Sequence, residues 1–480
     1  MSTIARFLGG ALLLAPAGAA AQSTVYVPDV VELSGAGAVS GTNWRDGVTL
    51  AVEEINAKGG ILGKKLNVPH IDTQSDAGIA RVQVQKVIDN DPYVILGPVF
   101  SGSVLVTMEL AKQAEIPEIT GAEAAAVTQR GNGYVFRTSF GQQFSMPKIA
   151  DYMRDGVKAK KVAVVWVNND FGKGGRDFFI AEMKKRNIPV VADISTESGQ
   201  VDFAADVVKV KGANADAVFV YTNEEESARF LREAKKQGLN VPLIGETTLL
   251  GQKVIELAGD AANGVRGHVG LSADAPVPSF QKFGEKFNKR FGYVNDHNGI
   301  KGYTAIYAIK YVTEKIGKFD SKLFAKTLHG LTIKPEDEPG ILLEATWDGN
   351  GDIDRQSFLG GVIEGPAAAA RLTGPSLIAV AYLVLVTVAA FVLWYSAVSA
   401  LGPGRVGLLT GIAPVSAALA GVATGSRAPT ALMWAGIAVV LAGLAAGLRE
   451  PPLPGPVAAG GAGPGSVPAC EAAAGSERLV

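Results

Sequence analysis

Between Val25 and about Glu364 the chain switches repeatedly between two hydrophobic periods. Short apolar runs rich in β-branched residues, "VYVPDVVELS", "KKLNVPHID", "YVILG", "KKVAVVWVNN" and "ADAVFVYT", read as strands. Between them, "AGIARVQVQKVIDN", "GSVLVTMELAKQA", "GGRDFFIAEMKKRN" and "SARFLREAKKQG" place apolar residues at helical spacing. So does "WRDGVTLAVEEINAKGG", which Gly59-Gly60 closes. Strands alternating with helices predict parallel sheets covered on both faces. The segment is too long for one such core, and the pattern restarts near Lys160, so two α/β lobes are expected.

In an open parallel sheet a ligand sits outside the carboxyl ends of the strands, which makes the following loops the ones to read. In the first lobe they are "SGAGAVSGTNW", "GPVFSGS" and "TGAEAAAVT"; in the second, "NNDFGKGG", "TNEEES" and "GETT". All are rich in glycine and small polar residues, which let backbone N–H groups approach a ligand. Ser40, Asn43 and Ser101 lead into helices, where a hydroxyl beside free N–H groups suits a carboxylate. The same serines would equally serve as helix caps. Glu224-Glu225-Glu226 reads as a solvated helix start, with Glu224 alone a cleft candidate.

Composition narrows the chemistry. With 45 basic and 46 acidic residues the net charge is −1, and no basic cluster marks a nucleic-acid partner. The four histidines, His70, His268, His297 and His329, show no paired metal spacing. The one cysteine, Cys470, lies in the tail, so no disulfide is expected in the body. A G-x-S-x-G elbow and a phosphate loop are missing, and the third glycine of "GAGAVSG" comes one residue late for a dinucleotide loop. A carrier needs polar loops without a reactive group; a catalyst needs both. The reading is therefore a binding protein that is not an enzyme and uses no metal or cofactor.

The two ends speak a different language. "MSTIARFLGGALLLAPAGAAAQ" has the early charge, short apolar core and small-residue end of a secretory signal peptide over residues 1–21. After Lys334 no lysine occurs, and from residue 372 three uncharged stretches, 372–404, 406–426 and 428–448, are separated only by Arg405 and Arg427. Each is long enough to span a bilayer, and the arginines weakly fit a positive-inside orientation. A linker at 365–375, a three-helix membrane segment at 376–448 and a disordered Pro/Gly/Ala-rich tail at 449–480 are expected.

"AVEEINAKGGILGKKL", Asp72, "YVILGPVFSGS" and "YVFRTSF" together resemble the periplasmic solute-binding proteins of branched-chain amino-acid ABC importers. The likeness implies a two-lobed type I periplasmic-binding fold with three crossings between lobes, near 138–142, 269–273 and 341–346. Lobe one would hold about 22–140 and 271–342, and lobe two 141–270 and 343–364. It implies that Ser101 meets a ligand carboxylate and that Ala122, Glu123 and Ala124 line the headgroup, although "GAEAAA" lacks the family's Thr or Ser. Phe171 would close over the ligand and Glu246 would pair with its amine. Asn298, with His297 and Lys301, would lie at the cleft mouth or at a surface helix start. The likeness further implies an amino acid or similar small carboxylate as ligand, ABC permease subunits as partners, and the periplasm as location. "LWYSAVSALGPGRVGLLTGIAPVSAALAG" is similar to the end of EamA-like drug/metabolite transporters, of whose repeat it holds the last three helices. That fragment would tether the lobes to the inner membrane without transport activity of its own. A membrane-tethered ligand sensor is the alternative reading.

Overall fold

The computed structural model describes residues 23–361 apart from 273, 274 and 276. The signal-peptide, linker, membrane and tail segments expected above lie outside those residues. Among the described residues no helix is long and apolar enough to cross a membrane.

The first predicted strand is divided at Pro28, which has no N–H for a ladder. Its halves, β1 (Thr24–Tyr26) and β2 (Asp29–Val31), pair with β3 (Lys65–Asn67) and β4 (His70–Asp72). A five-stranded parallel sheet then runs β4-β2-β5-β6-β7, with β5 at Ile95–Leu96, β6 at Glu118–Thr120 and β7 at Val135–Arg137. Helices α1 (Ala38–Ala57), α2 (Ala77–Ile88), α3 (Ser101–Ala114) and α4 (Ala126–Gln129) connect these strands. Helix α1 begins ahead of the expected Trp44, because the small residues before it carry no hydrophobic period. Ser40 and Asn43 therefore lie within its first turns.

The second lobe holds β8 (Val162–Val167), β9 (Val190–Thr196), β10 (Ala217–Tyr221), β11 (Leu243–Gly245) and β12 (Arg266–Val269). These strands are parallel and almost wholly buried at β8 and β10, as expected of a sheet covered on both faces. Their helices are α5 (Gln142–Asp151), α6 (Asp170–Lys185), α7 (Ala204–Gly212), α8 (Glu224–Lys236) and α9 (Gln252–Ala258).

The chain then returns to the first lobe through α10 (Pro278–Phe291), α11 (His297–Ile316) and α12 (Ser321–Leu328), whose Phe280, Phe287, Ile306 and Phe324 join its core. Helix α11 lies against α1 at backbone range. A Cβ on Gly47 would sit 2.0 Å from the Gly299 carbonyl oxygen, and one on Gly302 would sit 2.4 Å from that of Trp44. Glycine is required at that crossing, and it brings the start of α11 over the cleft.

Two expectations are corrected. Strands β13 (Thr332–Ile333), β14 (Ala345–Trp347) and β15 (Ile353–Asp354) form a small antiparallel sheet, and Trp347 and Ile353 are buried in the first lobe's core. The Trp347 indole donates to the Arg137 carbonyl at 3.0 Å. The third crossing therefore falls at 355–357 and not at 341–346. Only β16 (Phe358–Gly361) joins the second sheet, and it runs antiparallel to β12, so that sheet is mixed. At the crossing, buried Arg355 donates to the Thr138 carbonyl, which ties the third connection to the first.

Candidate functional site

The carboxyl ends of both sheets and the starts of α1, α3, α6, α8 and α11 converge on one cavity. From the first lobe Ser40, Ser101, Gly121, Glu123, His297, Asn298 and Lys301 line it; from the second, Phe171, Asn223, Glu224 and Thr248. The lobes touch across it. Ser40 Oγ donates to Glu224 Oε1 at 2.7 Å, and Asn298 Nδ2 reaches the same oxygen at 3.5 Å. Phe171 stacks on Tyr221 with ring centroids 4.2 Å apart. The Tyr221 hydroxyl in turn lies 3.5 Å from Glu123 Oε2.

Local structure explains why each group sits where it does. Buried Glu32 accepts the N–H groups of Val99 and Phe100 at 2.9 and 3.2 Å, fixing the loop just ahead of α3. Ser101 is the first residue of that helix, where unpaired N–H groups and the dipole favour an anion. Asp296 caps α11, its Oδ1 accepting from Asn298 and Gly299, and so places His297, Asn298 and Lys301 at the cavity. Of the three acids opening α8, Glu225 pairs with Arg229, Glu226 holds the Gly199 N–H, and Glu224 enters the cleft.

The cleft is rich in buried carboxyl groups. Lys301 Nζ meets Glu123 Oε1 at 2.8 Å, with both side chains almost wholly buried. Burial pushes the Glu123 carboxyl up to about 7; Lys301 opposes the shift, and Glu246 and Glu224 add to it. Burial also raises Glu224, and it raises Asp296 to about 7 with the Glu224 charge as the second cause. Burial, then Lys301, holds His297 well below the usual imidazole range, so its ring is neutral. The Tyr221 phenol is pushed well up by burial and by Glu123.

The structure places Ser40, Ser101, Glu123, Phe171, Glu224 and Asn298 on the cavity wall. It puts the other predicted residues behind that wall. Asn43 accepts the Asp296 N–H at 3.2 Å and belongs to the α1–α11 contact. The Ala122 carbonyl is taken by Ser139 and Arg137, while the Ala124 N–H donates to Ser101 Oγ at 3.1 Å. Glu246 accepts from the N–H and hydroxyl of Thr247 and meets His268 Nδ1 at 3.1 Å, one layer from the cavity. Asn223, Thr248 and Tyr221 were not singled out by sequence reasoning. Each ends or follows a strand of the second lobe, and the carboxyl-end rule applied residue by residue would have found them. Histidine spacing along the chain gave no sign of a metal, yet the fold brings Glu224, Asp296 and His297 together, one donor atom from each within 4.8 Å of the others.

Comparison with known proteins agrees with this fold. The Leu/Ile/Val-binding protein of Escherichia coli strain K12 is 26% identical over 358 residues, covering 73% of this chain and 94% of that protein. An amino acid binding protein of Pseudomonas aeruginosa is 26% identical over 362 residues, covering 74% and 95%. A crystal structure of a leucine binding protein from Thermotoga maritima shares the fold with a TM-score of 0.65 at 24% identity, over 71% of this chain and 96% of that one. A solute binding protein of an ABC transporter from Rhodopseudomonas palustris BisB5, in complex with 3,4-dihydroxybenzoic acid, gives 0.66 at 25% identity, over 72% and 94%. Residues 24–360 match the periplasmic binding protein family, and with more than half the chain inside that match, the chain belongs to it.

Proposed function

We propose that the chain is the solute-binding component of an ABC importer, taking an amino acid between its lobes and handing it to a permease in the inner membrane. The observation that carries this reading is the cavity wall. Ser101 at the start of α3 offers a hydroxyl and helix N–H groups to a carboxylate, while Glu123 and Glu224 face the same space and Glu246 stands behind it. The balance of buried charge favours a ligand with an ammonium group over a plain carboxylate such as the dihydroxybenzoate bound by the Rhodopseudomonas relative. Binding is reversible lobe closure, with the Ser40–Glu224 contact as its latch. The test is a calorimetric titration of the exported protein with leucine, isoleucine, valine and their small relatives beside benzoates. Binding of an amino acid with no benzoate response is expected; binding of benzoates alone overturns the reading.

A further inference from the structure

We propose that Glu224, Asp296 and His297 form a site for a divalent transition-metal ion that bridges the two lobes beside the solute cavity. Glu224 comes from the second lobe, at the first residue of α8, and the other two come from the first lobe, at the start of α11. One donor atom from each lies within 4.8 Å of the other two, and all three residues are more than nine-tenths buried. Around one ion with bonds of about 2.0–2.2 Å, three such donors need to close by roughly an ångström, a rotamer adjustment.

The acids alone would not carry this inference; the unsatisfied atoms do. Asp296 spends Oδ1 on capping α11, and its Oδ2 is buried with no hydrogen-bond partner. Both ring nitrogens of His297 are likewise buried without a partner. A buried imidazole left wholly unpaired is costly, and so are two carboxylates facing each other in low dielectric. A dication answers all three groups at once. One imidazole with two carboxylates suits zinc or a similar ion over calcium or magnesium, which favour oxygen alone. Three protein donors leave a fourth position open, as in zinc sites that take an exchangeable group. Because His297 and Glu224 also line the cavity, that position faces the solute.

The test uses the full chain, stripped with EDTA and exchanged into chelator-free buffer. Zinc chloride is then titrated by calorimetry, and cobalt chloride is followed by visible absorption. One ion per chain is expected, with the strong absorption of four-coordinate cobalt and a raised thermal midpoint. His297→Ala and Glu224→Gln should each weaken zinc binding by about tenfold or more. His329→Ala and Cys470→Ser should bind as the parent does. Circular dichroism without metal establishes that each variant is folded, and the parent titration stands whatever the variants do. No zinc binding by the parent, or equal binding by His297→Ala and Glu224→Gln, overturns the proposal. Zinc binding without any amino-acid binding leaves it standing and removes the importer reading; the reverse result removes only the metal.

Discussion

Ser40 and Glu224, 184 residues apart in sequence, meet at 2.7 Å across the cleft, hydroxyl donating to buried carboxylate. The contact joins the start of α1 in one lobe to the start of α8 in the other, so it exists only when the lobes are closed. Closure takes Glu224 out of water, and Ser40 with Asn298 returns part of the lost hydration.

Replacing Ser40 with Ala should therefore weaken closure and solute binding together. A hydrogen bond to a buried charge contributes about 1.5–3 kcal/mol, which corresponds to at least a tenfold loss of affinity. Calorimetry gives the affinity, and small-angle scattering shows a larger radius for the variant at equal solute. Unchanged affinity would mean that Asn298 alone is enough to hold Glu224.

Glu246→Gln keeps the shape of a residue that stands behind the wall and removes its charge. Affinity for amino acids should fall, while affinity for any plain carboxylate that binds should hold or rise, because the wall becomes less negative. A common loss for both classes would show that the contacts to Thr247 and His268 matter through the fold.

Glu118 illustrates a buried acid that does not belong to the site. It is wholly buried, accepts from Thr107 at 2.7 Å, and has Oε2 without a partner; burial pushes its carboxyl up to about 8. The folded state thus keeps the proton after the unfolded chain has released it near the usual carboxylate range. Its contribution to stability is fully present below about pH 4.5 and is lost as pH rises toward 8, by about 1.4 kcal/mol per pH unit. Glu118→Gln should flatten the parent's decline in stability between pH 5 and 8, as read from urea midpoints. Identical slopes in parent and variant would place the ionisation elsewhere.

Much of this architecture was legible in the sequence. Alternation of β-rich and amphipathic runs pointed to two α/β lobes, and the carboxyl-end rule led to the loops holding Ser40, Ser101, Glu123, Phe171 and Glu224. What it missed has physical reasons. Trp347 and Ile353 are apolar in either lobe, and only the Arg137 carbonyl that receives the Trp347 indole decides for the first. The pairing of Lys301 with Glu123 joins residues 178 positions apart, which no local period encodes. The family resemblance implied that Ala122 and Ala124 line the ligand headgroup, where an alanine has only backbone groups to offer. Here Arg137, Ser139 and Ser101 use those groups, and Arg137 betrayed nothing in sequence of its turn toward that loop.

The α1–α11 crossing predicts a contrast between two glycines. Gly47→Ala would put a methyl 2.0 Å from the Gly299 carbonyl oxygen, where backbone must move, and overpacking of this kind costs about 1–3 kcal/mol or more. Gly212, in α7, has nothing within 4 Å of its added Cβ, so Gly212→Ala should be neutral or stabilise by about 0.4–1 kcal/mol. Thermal midpoints moving in the same direction for both would contradict the close crossing.

The last prediction concerns where the folded body needs to end. Strand β16 is the final described element, and its four residues pair with β12 from Arg266↔Gly361 to Val269↔Phe358. Just before it, Ser357 accepts from Lys148 at 2.7 Å, and Phe358 packs on the first lobe's core although its strand belongs to the second. A chain ending at Gly361 keeps all of these contacts. One ending at Arg355 loses the strand, opens the β12 edge to water and leaves Val269 without its partner. The shorter chain should melt well below the longer one, and its bare edge should make it prone to pairing with other chains, visible as concentration-dependent aggregation. The longer chain should remain monomeric and bind solute as the full chain does, because none of the cavity residues lies beyond Lys301. Failure of the Gly361 form to fold, where the full chain folds, would show that residues after 361 hold up the lobes.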